Sequence, residues 1–332
     1  MAPMKNDIQK IAIVRLSALG DIVNTAVVLQ FIHKQYPDAS IEWVTEEVFA
    51  PLLQKHPLIA KVHCVNLKKL KKEKSLSLLK KTVSYLKSLG EFDIIIDVQG
   101  LLKSAIVARL IGENTHGFDK KSSRESLSAL FYKTTSHIPY NENIIKRNSY
   151  LVADALDFVI NDAMLLEKEP IFHVEKLQLC HNKKNIAIVI GASWESKKYP
   201  KDKVAQMCNE LGEYCHIIWG NEQEEKEAIW ICEHSSYAIL APKLSLKELV
   251  AFISSMDLVI GNDTGPTHMA WAQNIPSLTL FGPTNSRMIY ETPTNLALQS
   301  SSAVDIFKID KNDFSIKDIE VQDIVQKAKE LL

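Results

Sequence analysis

Short apolar runs alternate with amphipathic stretches along the first half of the chain. The runs at 11–16, 41–44, 62–65 and 92–97 are rich in Ile and Val and have the length of strands. The stretch 22–36 has the apolar spacing of a helix, and other helical stretches separate the remaining runs. Strands that alternate with helices predict a parallel sheet that is covered on both faces.

The same alternation begins again after a polar connector. The pattern loosens from about residue 165, and residues 167–170 and 180–185 are mostly polar. A second series follows, with strands predicted at 185–190, 215–219, 257–260 and 276–281 and a helix at 204–211. We predict Rossmann-like domains at 1–168 and 183–314, and an amphipathic C-terminal helix at 315–332. Two such domains imply a cleft between the carboxyl ends of their strands.

The composition of the chain argues against several classes of protein. The chain has 332 residues, 46% of them hydrophobic, and a formal net charge of −1, which argues against a dedicated nucleic-acid binder. Its five cysteines are odd in number and form no Cys-x-x-Cys pair, so we expect neither a disulfide framework nor a zinc ribbon. The first ten residues are polar and lack the apolar segment that is typical of a signal peptide, and no apolar run has the length of a membrane-spanning helix. We therefore expect a cytoplasmic protein.

Residues 261–268, Gly-Asn-Asp-Thr-Gly-Pro-Thr-His, form a polar turn between an apolar run and a helix start. Free backbone N–H groups and the positive end of a helix dipole favour phosphate oxygens at such a position. We expect Asp263 and Thr264 to cap the helix, Gly265 to allow a close approach, and His268 to lie one turn in. An ordinary helix cap has the same composition, so this stretch alone leaves both interpretations open.

Two other loops follow strands of the second domain. Lys197 lies in a loop of hydroxyls and lysines and could meet a phosphate, although a solvated basic loop has the same pattern. Glu224 lies in an acidic run whose carboxylates could hold ribose hydroxyls, although most of the run is expected to be solvated helix surface.

In the first domain, the turn 17–21 follows the first strand and lacks a complete Gly-x-Gly-x-x-Gly dinucleotide motif. Asp21 in this turn is a general base that faces the cleft or a carboxylate that stabilises a helix start. Between residues 68 and 81 the chain has seven lysines and the single acid Glu73. They form a solvated face, or a cationic rim for an anionic acceptor or bilayer.

The chain resembles the bacterial lipopolysaccharide heptosyltransferases, which are glycosyltransferases that use ADP-heptose. The stretch 263–265 with His268 is similar to the family's donor-binding motif, and 281–284 is similar to the segment that follows that motif. The stretches 99–105, 116–119, 124–127 and 130–132 are similar to the branch that adds the first heptose to the inner 3-deoxy-octulosonate (Kdo) of Kdo2-lipid A. The resemblance implies an α/β GT-B fold, with two Rossmann-like domains facing across a cleft and the C-terminal helix packing back toward the first domain.

The resemblance also implies residue roles. Asp21 matches the catalytic base, and Lys103 and Arg124 match basic residues of the acceptor side, to which we add Lys68, Lys69 and Lys72 of the lysine-rich stretch. The donor site is expected to comprise Ser193, Lys197, Glu224, Asp263, Thr264, Gly265 and His268. Ala192 stands where a second threonine is common, and Arg15 stands where a lysine is common.

The implied reaction is the inverting transfer of L-glycero-D-manno-heptose from ADP-heptose to the inner Kdo of Kdo2-lipid A. We expect no required metal and no other cofactor, no nucleic-acid partner, and a peripheral contact with the anionic cytoplasmic face of the inner membrane. Two alternatives stay open: a sibling such as heptosyltransferase II that adds a later heptose, and a non-catalytic protein that binds sugar nucleotides.

Overall fold

The computed structural model describes residues 8–179 and 182–332. The chain divides into two units, Met1–Ile171 and Phe172–Leu332. Of the predicted connector at 180–185, Cys180 and His181 lie outside the described residues, as does most of the N-terminal stretch. Cys64, Cys208, Cys215 and Cys232 are free cysteines. The predicted domain limits, 1–168 and 183–314, stay a prediction.

The first unit is built on a parallel six-stranded sheet with the order β3-β2-β1-β4-β5-β6. The chain moves outward from β1 in one direction and then returns to start again beside it with β4, so the strand order reverses between these two strands. Ligands bind at such a switch point in open α/β sheets. The strands are β1 (Lys10–Val14), β2 (Ser40–Glu46), β3 (Lys61–Val65), β4 (Ile94–Asp97), β5 (Thr115–Phe118) and β6 (Thr134–Ser136).

Amphipathic helices connect these strands. The predicted helix at 22–36 is observed as α1 and α2, which Val27 separates. The lysine-rich stretch forms two consecutive helices, each capped by a polar side chain, Asn66 for α4 and Ser75 for α5. The helices of this unit are α1 (Leu19–Ala26), α2 (Val28–Gln35), α3 (Ala50–Leu53), α4 (Leu67–Glu73), α5 (Leu76–Lys87), α6 (Leu102–Ile111), α7 (Ile144–Ala155) and α8 (Asp162–Leu166).

The second unit repeats the plan with a parallel sheet of order β12-β11-β10-β7-β8-β9, and its switch point lies between β7 and β10. Every residue of β7, β10 and β11 is buried, because helices cover both faces of the sheet. The strands are β7 (Asn185–Val189), β8 (Tyr214–Ile218), β9 (Ala238–Leu240), β10 (Leu258–Asn262), β11 (Ser277–Phe281) and β12 (Asn295–Gln299). The helices are α9 (Lys201–Leu211), α10 (Glu222–Glu233), α11 (Leu246–Ile253), α12 (Gly265–Ala272) and α13 (Val321–Leu331).

The terminal helix α13 is amphipathic, as its sequence predicts. Its buried residues Val321, Ile324, Val325 and Ala328 follow the helical repeat and belong to the core cluster of the second unit, where α13 contacts α9, β10 and β11. The predicted packing of this helix back toward the first domain stays a prediction. Among the described residues, no helix is both long and apolar enough to cross a membrane.

Candidate functional site

Asp21 lies at the switch point of the first sheet, in the first turn of α1. Its Oδ1 is 2.9 Å from the Arg15 guanidinium, and its Oδ2 accepts a hydrogen bond from the Ala18 N–H at 3.1 Å. Arg15 is buried and also donates to the Val98 carbonyl at 2.7 Å, so it is itself fixed. The Asp21 side chain is 26% exposed. The carboxylate is therefore held in one orientation while part of it stays open to a substrate.

The predicted acceptor residues Lys103 and Arg124 are both exposed and approach the same end of α6. Lys103 is the second residue of α6, and its Nζ lies 3.2 Å from the Ser17 Oγ, in the turn before Asp21. Arg124 lies in the loop after β5, next to Glu125, whose Oε2 accepts the Leu102 N–H at 2.7 Å. The structure thus brings Lys103, Arg124 and the Asp21 turn to one edge of the first sheet.

Lys68, Lys69 and Lys72 lie on α4 and are exposed. Lys69 reaches Glu73 at 3.9 Å, a surface contact of little energetic weight. These lysines are available to an anionic partner.

Glu46, the last residue of β2, is buried beside this group and is not among the residues that the sequence predicts for the site. Burial raises the pKa of Glu46, although the charges of Lys103 and Lys68 and backbone hydrogen bonds from the start of α4 act in the opposite direction. The rule that finds Asp21, a polar residue at the carboxyl end of a strand, also selects Glu46.

Asp263 is the centre of a buried polar cluster in the second unit. It follows β10, and its Oδ2 is 2.6 Å from the Lys197 Nζ and 2.8 Å from the Thr284 Oγ1. Its Oδ1 is 3.0 Å from the His268 Nε2. Burial tends to raise the pKa of Asp263, but the charge of Lys197 and the hydrogen bond from His268 outweigh it and hold this pKa well below its usual range. The cluster therefore contains an ionised carboxylate that is held by three protein side chains.

This arrangement changes the expected role of Asp263. The sequence analysis expects Asp263 and Thr264 to cap α12, but the Asp263 carboxylate bonds to side chains instead, and Thr264 makes no side-chain cap among the described residues. The first turn of α12 therefore starts with Thr264 and Gly265 and without a side-chain cap. An uncapped helix start retains N–H donors for an anion.

Glu224 is buried against the turn that follows β7. Its Oε2 accepts the Gly220 N–H at 2.8 Å, and a Cβ on Gly191 would lie 2.9 Å from the carboxylate. Gly191 is thus the residue that lets Glu224 approach. Ser193, two residues further along the same loop, is exposed.

Thr284 also belongs to this cluster, and the sequence assigns it no role, although it lies in the stretch 281–284 that carries the resemblance. It joins the cluster only because β11 and β10 are neighbours in the sheet. Among residues 8–179 and 182–332, no group of three or more His, Cys, Asp or Glu is arranged to hold a metal ion.

Comparison with known proteins connects this geometry to a family. The family model for glycosyltransferase family 9 (heptosyltransferase) matches residues 83–305, more than half of the chain. The lipopolysaccharide heptosyltransferase 1 of Campylobacter coli is 43% identical over 97% of this chain and 98% of its own length. The chain belongs to glycosyltransferase family 9.

A second relative and a solved structure extend the comparison. The lipopolysaccharide heptosyltransferase 1 of Escherichia coli strain K12 is 27% identical over 84% of this chain and 90% of its own length. The structure of E. coli heptosyltransferase WaaC with ADP-2-deoxy-2-fluoro heptose matches 98% of this chain and 100% of that chain, with a TM-score of 0.79 and 23% identity. The predicted GT-B fold and the assignment as an enzyme that transfers a glycosyl group are confirmed. The roles of individual residues stay predictions.

Proposed function

We propose that this heptosyltransferase moves L-glycero-D-manno-heptose from ADP-heptose to the inner Kdo of Kdo2-lipid A. The observation that carries the proposal is the 43% identity, over nearly the full length of both chains, to a lipopolysaccharide heptosyltransferase 1. The stretch 99–132, whose similarity to the branch that adds the first heptose lies outside the donor motif, supports the same acceptor.

On the donor side, the diphosphate would bind at the start of α12, beside Lys197. An ammonium group has three N–H donors, and one of those of Lys197 is directed to Asp263. The remaining donors, with the N–H groups at Thr264 and Gly265, would stabilise the charge that develops on the departing ADP. The buried carboxylate of Glu224 would accept hydrogen bonds from the ribose hydroxyls, and Ser193 would contact a phosphate.

On the acceptor side, Asp21 would act as the general base. In one displacement, the Kdo hydroxyl oxygen forms a bond to the anomeric carbon of heptose as the bond from that carbon to the diphosphate oxygen breaks. The hydroxyl proton passes to Asp21, and ADP leaves from the opposite face, so the anomeric configuration inverts. Lys103 and Arg124 would bind the carboxylate and phosphate groups of Kdo2-lipid A.

We propose that no divalent metal is required. The N–H donors at the start of α12 and the Lys197 ammonium supply, from the protein itself, the hydrogen bonds and positive charge that the leaving diphosphate needs. The proposal predicts that turnover in EDTA equals turnover in magnesium.

We also propose that the enzyme binds peripherally to the cytoplasmic face of the inner membrane through α4 and α5. Its seven lysines at 68–81 are exposed, and Leu76 between them is 74% exposed. Basic residues near an anionic bilayer contribute about 1 kcal/mol each. Reversing Lys68, Lys69 and Lys72 to glutamate should abolish sedimentation with phosphatidylglycerol vesicles, and unchanged sedimentation would exclude this surface.

The reaction is tested by following ADP release from ADP-heptose. The proposal expects release that depends on Kdo2-lipid A and is unaffected by EDTA. ADP release that is the same with and without Kdo2-lipid A would reject the acceptor, and loss of turnover in EDTA that magnesium restores would reject the metal-free reaction.

A further inference from the structure

We propose that Glu125 is a positioning residue of the acceptor site, and that it fixes Arg124 relative to Lys103 by capping the start of α6. The inference rests on the proposed function, because it assigns those two cations to the acceptor. It adds a residue that does not touch substrate and that acts only through its neighbours.

The cap joins two segments that are far apart in the sequence. The Leu102 N–H, the first of α6, donates to Glu125 Oε2 at 2.7 Å, which is short for an N–H···O bond and typical of a carboxylate acceptor. Leu102 precedes Lys103, and Glu125 follows Arg124. The bond therefore links the immediate neighbours of the two predicted acceptor cations.

Two other hydrogen bonds join the same two segments at positions further from Lys103 and Arg124. The Ser128 Oγ donates to the Gly100 carbonyl at 3.5 Å, and the Tyr132 hydroxyl donates to the buried Asp97 at 2.7 Å. Residues 125, 128 and 132 thus meet residues 102, 100 and 97 in antiparallel order. Of the three contacts, the Glu125 cap is the one that adjoins Arg124, and the other two would keep the segments folded without it.

The loop before Arg124 is anchored separately. Asp119 accepts N–H groups of Lys121 and Ser122 at 3.0 and 2.8 Å, and the buried Arg147 donates to the Ser122 carbonyl at 2.8 Å. Arg124 lies between these hydrogen bonds and the Glu125 cap. Loss of the cap therefore removes one of the two restraints that flank Arg124 and keeps the other.

The cap also reaches the catalytic turn. Lys103 bonds to the Ser17 Oγ at 3.2 Å, four residues before Asp21. A continuous line of contacts therefore runs from Arg124 through Glu125 and the first turn of α6 to the loop that carries the base. Loss of the cap should therefore weaken binding of the acceptor and leave binding of the donor unchanged.

Three substitutions of Glu125 distinguish the effect of its side-chain length from the effect of its charge. Glu125→Gln keeps an oxygen at the same reach without the charge, Glu125→Asp keeps the charge with a shorter side chain, and Glu125→Ala removes both. Glu113→Ala is the matched control, because Glu113 follows α6 and its exposed carboxylate pairs with Arg109 on the surface at 3.0 Å.

If Glu125 positions Arg124, the KM for Kdo2-lipid A should rise about tenfold in the Ala and Asp variants, because neither side chain reaches the Leu102 N–H. The same KM should stay within about threefold of wild type in the Gln variant and in the Glu113→Ala control. The donor KM should be unchanged in all four. The Leu102 amide should also exchange its hydrogen faster in the Ala and Asp variants than in wild type and Gln.

Several results would overturn the inference. A wild-type acceptor KM in both the Ala and Asp variants would show that the cap does not position Arg124. A KM that rises in Gln and stays at the wild-type value in Asp would assign Glu125 a role through its charge. Absence of wild-type turnover on Kdo2-lipid A would instead overturn the proposed function itself, and amide exchange at Leu102 would then still report on the cap.

Discussion

Removing the lysine of the buried Lys197–Asp263 pair should destabilise the second unit as well as impair donor use. In Lys197→Ala the Asp263 carboxylate keeps its bonds from His268 and Thr284 but loses its cationic partner. Both side chains are almost completely buried, at 8% and 4% exposure. A buried charge without a counter-charge is far more costly than an exposed one.

The size of the effect follows from this burial. Breaking a buried ion pair by removing one partner costs about 3 to 5 kcal/mol. Because two hydrogen bonds to Asp263 remain, we expect the lower end, about 3 kcal/mol of unfolding free energy. For a unit of this size that corresponds to a fall of roughly 6 to 12 °C in the midpoint of thermal unfolding.

Tryptophan fluorescence in a urea titration measures this loss in the correct unit, because Trp194, Trp219, Trp230 and Trp271 lie in the second unit and only Trp43 in the first. The control is Lys198→Ala. Lys198 contacts Glu195, which is 72% exposed, and Glu227, which is 20% exposed. Because both carboxylates stay more hydrated than Asp263, at 4% exposure, the loss of Lys198 should cost about 1 kcal/mol, clearly less than the loss of Lys197. Equal stability of the Lys197 and Lys198 variants would refute the argument.

The pH dependence gives a second check. The lowered pKa of Asp263 in the folded protein contributes stability above its unfolded pKa of about 3.9 and loses it as the pH falls further. In Lys197→Ala, burial is no longer opposed by the lysine, so the pKa of Asp263 should rise. The stability deficit of the variant should then shrink as the pH falls from 7 toward the unfolded pKa of about 3.9 and below it, because the folded variant takes up the proton at a higher pH than the wild type does. A deficit that grows over this range would contradict the sign.

Three further predictions concern other parts of the molecule. Asp21→Asn should reduce turnover about 100- to 10,000-fold with donor affinity unchanged, and normal turnover would remove Asp21 from the mechanism. Glu224→Gln should raise the donor KM roughly tenfold while the acceptor KM stays constant, and an unchanged donor KM would exclude the ribose contact. Gly117→Ala should cost about 1 to 3 kcal/mol of stability in urea, because its Cβ would lie 2.4 Å from the Tyr132 ring, and an unaltered urea midpoint would show that the ring moves freely.

The sequence predicts the repeated strands and helices well where the apolar runs are long. Four strands are not predicted. The strands β5, β6 and β9 have only three or four residues, which is too short to show a period, and β12 has only three apolar residues between a polar residue at each end. The resemblance links the stretch 99–132 to the acceptor, but many residues of that stretch pack inside the first unit and do not face a substrate. Gly100, at a φ of 65°, lies against Phe118, where a Cβ would come within 2.9 Å of the ring.

Contacts between distant segments account for what the sequence could not predict at the site. Lys197 and Asp263 are separated by 66 residues and meet because β7 and β10 are neighbours in the sheet. Periodicity places each residue at the end of a strand but contains no information on which strands pair. Likewise, nothing in the local pattern around Glu125 indicates that it caps a helix 23 residues earlier.

The central claim is the identity of the acceptor, and a competition between two acceptors tests it most directly. Purified enzyme is given ADP-heptose and an equimolar mixture of Kdo2-lipid A and its monoheptosylated form, and the products are resolved by mass spectrometry. The proposal predicts early loss of Kdo2-lipid A and accumulation of the monoheptosylated form without a diheptosylated product. Heptose added to the monoheptosylated acceptor, with Kdo2-lipid A unchanged, would contradict it.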